Sequence, residues 1–337
     1  MTAVATEPSA ATSRMPAIGR VVGSAAAIFA LALIPQLSFT KADTFFWTGI
    51  LILAMHATAT NLLLGYTGLV SFGQAAFFGA GSYTVGMMMA KGEYANMPVN
   101  LLLGLFFGGL MALLVGAMIV RTSGLAFAIL TLAFLQLFAT VAFKEKTFGG
   151  ENGLSGIKRG SFGPFDLVPT NNFYYFTLVV LVIVMGLLWL IVSSPFGLTL
   201  RSIRDDADRA QFLGIPVRLY KLGVFTIAGL VGGLAGALNA YNNLFTSAEV
   251  FSLDKSAEPV LMSILGGTSY FFGPLVGAIT YEWLSEWLQG RTESWILWMG
   301  VGLVVIIVAL RKGIVGLFFE VWHALEKRIR PGVEDGV

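Results

Sequence analysis

Cysteine is absent, and only two histidines occur in 337 residues. Disulfides, thiolate nucleophiles and Cys-ligated metals are thereby excluded. His56 and His323 are too far apart in sequence to signal a histidine metal cluster. Charge is scarce too. Asp, Glu, Lys and Arg make up only 12% of the chain, about half of the ~25% usual in soluble domains. A soluble fold of this size would expose too few charges, and disorder needs the opposite composition. A net charge of +2 gives no basic field for nucleic acid. There is no G-x-x-x-x-G-K-[ST] run, so the chain has no Walker A loop of its own. Apolar residues, by contrast, are abundant, at 56%, with a mean hydropathy of +0.79. Forty residues are glycine, well above the ~7% average, and glycine lets transmembrane helices approach closely.

A helix needs about 20 apolar residues to cross the ~30 Å hydrocarbon core. Runs free of charge predict spans at Val21–Thr40, 45–64, 72–90, within Tyr94–Val120, within Thr122–Phe143, near 173–192, within Leu222–Ala248 and within Ser294–Leu310. In segment 255–289, Gly266-Gly267 and Gly273-Pro274 interrupt the helix and read as a broken, re-entrant pair. A plain ninth span is the alternative and would put the C-terminus outside. The expected fold is an all-α polytopic membrane protein with about eight full transmembrane helices plus the re-entrant pair, N- and C-termini cytoplasmic. Residues 1–20 are then an N-terminal tail, 21–310 the transmembrane domain and 311–337 a cytoplasmic or interfacial tail. Within the domain, 144–171 is an outer loop and 194–221 a cytoplasmic one. This orientation places most lysines and arginines inside, as topology requires.

The loop 194–221 reads SPFGLTLRSIRDDADRAQFLGIPVRLYK. Asp205 or Asp206 is fit to cap a short helix. Ala207, Ala210 and Leu213 would share its apolar face. Gly214 would supply a left-handed stop and Pro216 would prevent continuation. The loop is either a solvated topology signal or a surface built to dock something; its cap and stop favour docking.

This loop resembles the EAA coupling loop of ABC importer permeases, with glycine at Gly214. Ser194–Leu238 is especially similar to LIV-type (LivM-like) permeases of branched-chain amino-acid importers. Leu64–Met89 (LGYTGLVSFGQAAFFGAGSYTVGMMM), Glu258–Ala278 (EPVLMSILGGTSYFFGPLVGA) and, more weakly, Gly149–Ile157 (GGENGLSGI) carry the same resemblance. It implies a permease subunit of the bacterial inner membrane, with no catalytic residue, cofactor or metal of its own. It also implies a second homologous permease, two cytoplasmic ATP-binding subunits and a soluble solute-binding protein as partners. Arg201, Arg204, Asp205, Asp206, Arg209 and Gly214 would then couple to the ATPases. Asp254, Lys255 and Glu258 would form an outer gate or a binding-protein contact. Gln74 stands where many members of this family carry histidine, so no metal or proton role carries over to it.

Polar side chains crowd the second resembling stretch. Asn61, Tyr66, Ser71, Gln74, Ser82 and Tyr83 must pair internally or face a water-filled path. They are helix-packing groups or path residues. Gly104-xxx-Gly108, Gly229-xxx-Gly233 and Gly232-xxx-Gly236 are small-residue contacts, inside the subunit or with a second permease. The spans hold no Asp, Glu, Lys or Arg, which ion-coupled carriers commonly use. A permease for branched-chain amino acids, driven by separate ATPases, fits best. Urea, short amides or aromatic acids are alternative solutes. A stand-alone facilitator or ion-coupled carrier is the alternative class.

Overall fold

The computed structural model describes residues 31, 33–36, 41–90, 96–162, 165–309, 312–318 and 320. The predicted span Val21–Thr40 lies outside them apart from 31 and 33–36, as does the tail 321–337. The described chain is dominated by eleven α-helices, and five are long and apolar enough to cross a membrane. The chain is an all-α polytopic membrane protein in this sense. The crossing helices are α1 (Lys41–Thr67), α3 (Met97–Ile119), α4 (Gly124–Lys144), α5 (Thr170–Ser193) and α8 (Val217–Asn243). α2 (Gln74–Ala90) has 17 residues, α9 (Leu253–Gly266) has 14, α10 (Gly273–Gln289) has 17 and α11 (Trp295–Ala309) has 15. At 1.5 Å per residue α9 reaches only about 21 Å, short of the ~30 Å hydrocarbon thickness, while α2 and α11 border residues that are not described. The expected span 72–90 corresponds to α2, which begins at 74. α1 runs on through Gly65, and the break falls at 68–73.

Segment 253–289 is broken, as its glycines predict. A methyl group on Gly277 would overlap the Met262 carbonyl, and one on Gly266 would overlap that of Gly273. These pairs count inward from both ends, so α9 and α10 form an antiparallel hairpin with its tip at 267–272. Gly267 turns the tip at φ +110°, a conformation that L side chains rarely adopt. α9 runs alongside α1 in the same direction. Ser263 Oγ donates to the Ala57 carbonyl at 3.1 Å, and Asn61 Nδ2 to the Thr268 carbonyl at 3.2 Å.

α8 is the hub, packed on α1, α2 and α3. The contacts Gly108–Gly233 and Gly104–Ala237 run antiparallel, and those of Gly81 and Gly236 bring α2 backbone onto α8 backbone. Lipid gives helices no hydrophobic reason to associate, so this close approach is what holds them. The small-residue motifs of α3 and α8 therefore meet inside the subunit. α1 is 83% buried across its most apolar window while α4 is 28% buried. The outward faces of α3, α4, α5 and α11 carry exposed Leu102, Phe106, Leu114, Leu125, Leu137, Leu190 and Val304. A soluble monomer rarely shows so large an apolar surface; a bilayer covers it.

The segment between α4 and α5, with residues 245–246 after α8, departs from helix. Strand β1 (Leu154–Ser155) pairs with β4 (Phe245–Thr246), and β2 (Ser161–Phe162) with β3 (Phe165–Asp166). Arg159 donates to the Tyr241 and Asn242 carbonyls at 2.9 and 3.0 Å. Those are last-turn acceptors of α8, where a cation also suits the helix dipole. Burial pulls the Arg159 pKa below its usual value.

Candidate functional site

The loop 194–221 folds as two helices where one was expected. Pro195 opens α6 (Pro195–Asp205), since a missing N–H costs nothing in a first turn. Asp206 is extended, at φ −161°, and breaks the run. Its carboxylate accepts the Arg209 backbone N–H at 2.9 Å and caps α7 (Ala207–Phe212). Asp205 is the last residue of α6, so the cap belongs to Asp206 alone. Gly214 ends the unit at φ +84°. Ala210 packs inward with Ile203 and Val217. Leu213 does not join that face. It is 77% exposed and its neighbour Phe212 is 91% exposed. The loop therefore presents a bare apolar tip beside exposed Arg209. Asp206→Ala should cost about 1 kcal/mol of local stability, as other cap losses do. Faster hydrogen exchange at the Arg209 amide would report it.

Arg201 and Arg204 turn back onto the bundle. The Arg204 guanidinium donates from Nη1 to the Gly65 carbonyl at 2.6 Å and lies 3.5 Å from Asp205. The Arg201 guanidinium sits 5.2 Å from the centre of the Tyr66 ring. The loop is thus fastened to the last turn of α1, close to the break at 68–73.

The polar residues of the break are all buried. Asn61, Tyr66, Ser71, Gln74, Ser82 and Tyr83 are each at most 6% exposed. Ser71 Oγ accepts from the Gly73 N–H and from Gln74 Nε2, and Thr131 Oγ1 accepts from the Phe72 N–H. The loose backbone is thereby partly satisfied from side chains, as irregular chain at membrane depth must be. Ser256 on α9 accepts the Ala75 N–H at 3.3 Å, and Ser82 bonds Thr246 at 2.8 Å. Among the described residues, Asn61 Oδ1, Gln74 Oε1 and Tyr83 OH find no hydrogen-bond partner. The void beside Gly73, Thr131 and Phe225 is too small for a water molecule. The six residues are buried at separate places: Asn61 meets Thr268, Tyr66 meets Arg201, Ser71 meets Gln74, Ser82 meets Thr246 and Tyr83 stacks on Phe251.

At the opposite end, Lys255 Nζ pairs with Glu258 at 2.8 Å, and Ser252 caps α9 through the Lys255 N–H at 3.3 Å. Asp254 lies exposed in the same first turn. A cleft of about 620 Å³ opens nearby, lined by Phe143, Lys144, Glu151, Phe245 and Glu249 among others. Sequence reasoning missed Lys144 and Glu151 there, whose only signal is charge in the segments that flank the helices. Among the described residues, no cluster of three His, Asp or Glu could hold a metal ion.

The family profile described as branched-chain amino acid transport system / permease component matches residues 42–310. The chain belongs to this family. It is 27% identical to the high-affinity branched-chain amino acid transport permease LivM of Escherichia coli, over 74% of this chain. The match spans only 64% of that relative's length. A probable branched-chain amino acid transport permease, LivH of Methanocaldococcus jannaschii, is 23% identical over 82% of this chain and 91% of its own. The ribose import permease RbsC of Bacillus subtilis is 28% identical over 39% of this chain and 43% of its own. No solved structure matches. The permease family match covers every crossing helix from α1 onward and stops at the end of α11.

Proposed function

We propose that the chain is the membrane subunit of an ABC importer for branched-chain amino acids, seated in the bacterial inner membrane. The observation that carries this reading is the loop 194–221. It is ordered, fastened to α1, and tipped by Phe212 and Leu213 in a chain that has no nucleotide-binding loop. Two ATP-binding subunits would grip that tip and Arg209. A soluble binding protein would deliver solute at the Asp254–Glu258 end. N- and C-termini would be cytoplasmic, with about eight crossings and the hairpin entering and returning from outside. The antiparallel hairpin and the parallel run of α9 with α1 support this topology.

A second permease would cover α4. Beside the exposed Leu125, Ile129 and Leu137, α4 carries the small or polar Ala126, Ala133, Gln136, Thr140 and Lys144, all exposed. Lipid would favour an apolar stripe there; a partner helix across a polar path suits small and neutral-polar groups. Asn61, Tyr66, Ser71, Gln74, Ser82 and Tyr83 would serve the same path in an open state. The unused hydrogen-bonding atoms of Asn61, Gln74 and Tyr83 support that assignment.

The test is uptake of labelled leucine into liposomes holding the chain with its ATPases, companion permease and binding protein. Uptake should require ATP and all partners. Flux through the chain alone would favour a stand-alone facilitator and sink the proposal.

A further inference from the structure

We propose that the last turn of α1 is a junction through which the loop 194–221 holds the hairpin tip closed, with Arg204, Gly65 and Asn61 as its positioning residues. This rests on the importer reading above and adds the route by which the loop reaches a gate.

The carbonyl of Gly65 is one of the last four of α1, which have no acceptor role inside the helix. Arg204 Nη1 fills it at 2.6 Å. This is a charge-assisted bond at the negative end of a helix, among the stronger contacts a loop can make. Asn61 lies one turn earlier on the same face. Its Nδ2 holds the Thr268 carbonyl at the hairpin tip, at 3.2 Å. The α-carbon of Gly65 abuts that same carbonyl so closely that a methyl group would overlap it. Gly65 thus faces the loop with its oxygen and the tip with its α-carbon. Gly68, at φ +70°, keeps the backbone low beneath Arg204, where a methyl group would come within 3.2 Å of Cγ. On the far side of the tip, Gly267 and Gly313 lie backbone to backbone, which braces the tip against the segment 312–318. A loop motion that draws Arg204 away shifts the α1 terminus. The Asn61–Thr268 bond then breaks and the tip is free to move.

The experiment uses the whole assembly in liposomes and reads leucine uptake and ATP hydrolysis together. Wild type must first import leucine with ATP; failure at that step removes the importer reading and not the junction alone. Arg204→Ala should lower leucine taken up per ATP hydrolysed at least tenfold, with hydrolysis within twofold of wild type. Arg204→Lys, which keeps the charge, should recover part of the ratio. An unchanged ratio in Arg204→Ala overturns the junction. Gly65→Ala should wedge the tip open and raise uptake without ATP; a leak equal to wild type also counts against it. Because the chain has no cysteine, Asn61→Cys with Thr268→Cys places one addressable pair in it. A short bis-thiosulfonate reagent, which joins both thiols through disulfides, should stop uptake while hydrolysis continues, and reductant should restore uptake. Transport that survives complete bridging overturns the proposal even if the alanine variants fail to fold, since each bridged sample is its own control.

Discussion

Gly236→Ala should leave almost no folded permease in the membrane. A methyl group at Gly236 would overlap the Phe78 carbonyl oxygen. That obstacle is backbone and cannot rotate aside. The neighbouring approaches leave no slack, because Gly81 meets the Gly233 carbonyl and Gly108 meets the Gly233 α-carbon at 2.6 Å from the added methyl position. Moving α8 away from α2 would also part it from α3 and from His56 on α1. Overpacking of an ordinary core costs about 1–3 kcal/mol. Here several helix pairs open together, and a cost above ~4 kcal/mol is expected, enough to unfold a marginal protein. Gly186→Ala is the control, since a methyl group there meets nothing within 4 Å. Monodisperse yield after detergent extraction and thermal melting should separate the two variants sharply. A Gly236→Ala protein that melts like wild type would contradict the close crossing.

Phe212→Asp together with Leu213→Asp should abolish uptake and release the ATPases, with the permease itself intact. These side chains are almost wholly exposed, so the permease fold gains little from them. In a complex, each apolar anchor is worth about 2 kcal/mol. Together they amount to roughly 10²–10³-fold in affinity. ATPase subunits should therefore fail to co-purify while the melting temperature of the permease stays unchanged. Retained co-purification would move the docking site elsewhere on the loop.

The positions of the crossing helices were legible because hydropathy and helix length are local properties. α5 was expected near 173–192 and runs 170–193. The hairpin break was legible because Gly266-Gly267 and Gly273-Pro274 are local stop signals. α2 was expected at 72–90 and runs from 74 to 90. What holds the break at 68–73 was not legible, because Thr131 and Ser71 satisfy it from side chains rather than through a polar stretch. The cap and stop of α7 were legible in Asp206 and Gly214, but α6 was not. Its charges made it read as a loop, whereas Arg201 and Arg204 are spent on Tyr66 and Gly65, more than a hundred residues earlier. The strand pair β1–β4 left no trace either, since two-residue strands have no period to detect.

The hairpin carries a consequence for how the protein is made. α9 is too short to span, and the hairpin tip would expose bare backbone to lipid. Such a segment has no stable place in a bilayer by itself. Its seat is on α1, through Ala57 and Asn61, and beside the start of α2, through Ala75. All of that surface leaves the ribosome before residue 253. Chain order therefore bears on assembly: α1 and the start of α2 offer a proteinaceous seat before the hairpin is made, and α11 and the segment 312–318 close on it afterwards. A permease arrested during synthesis before residue 253 would hold an unfilled seat, a natural target for chaperones and membrane proteases.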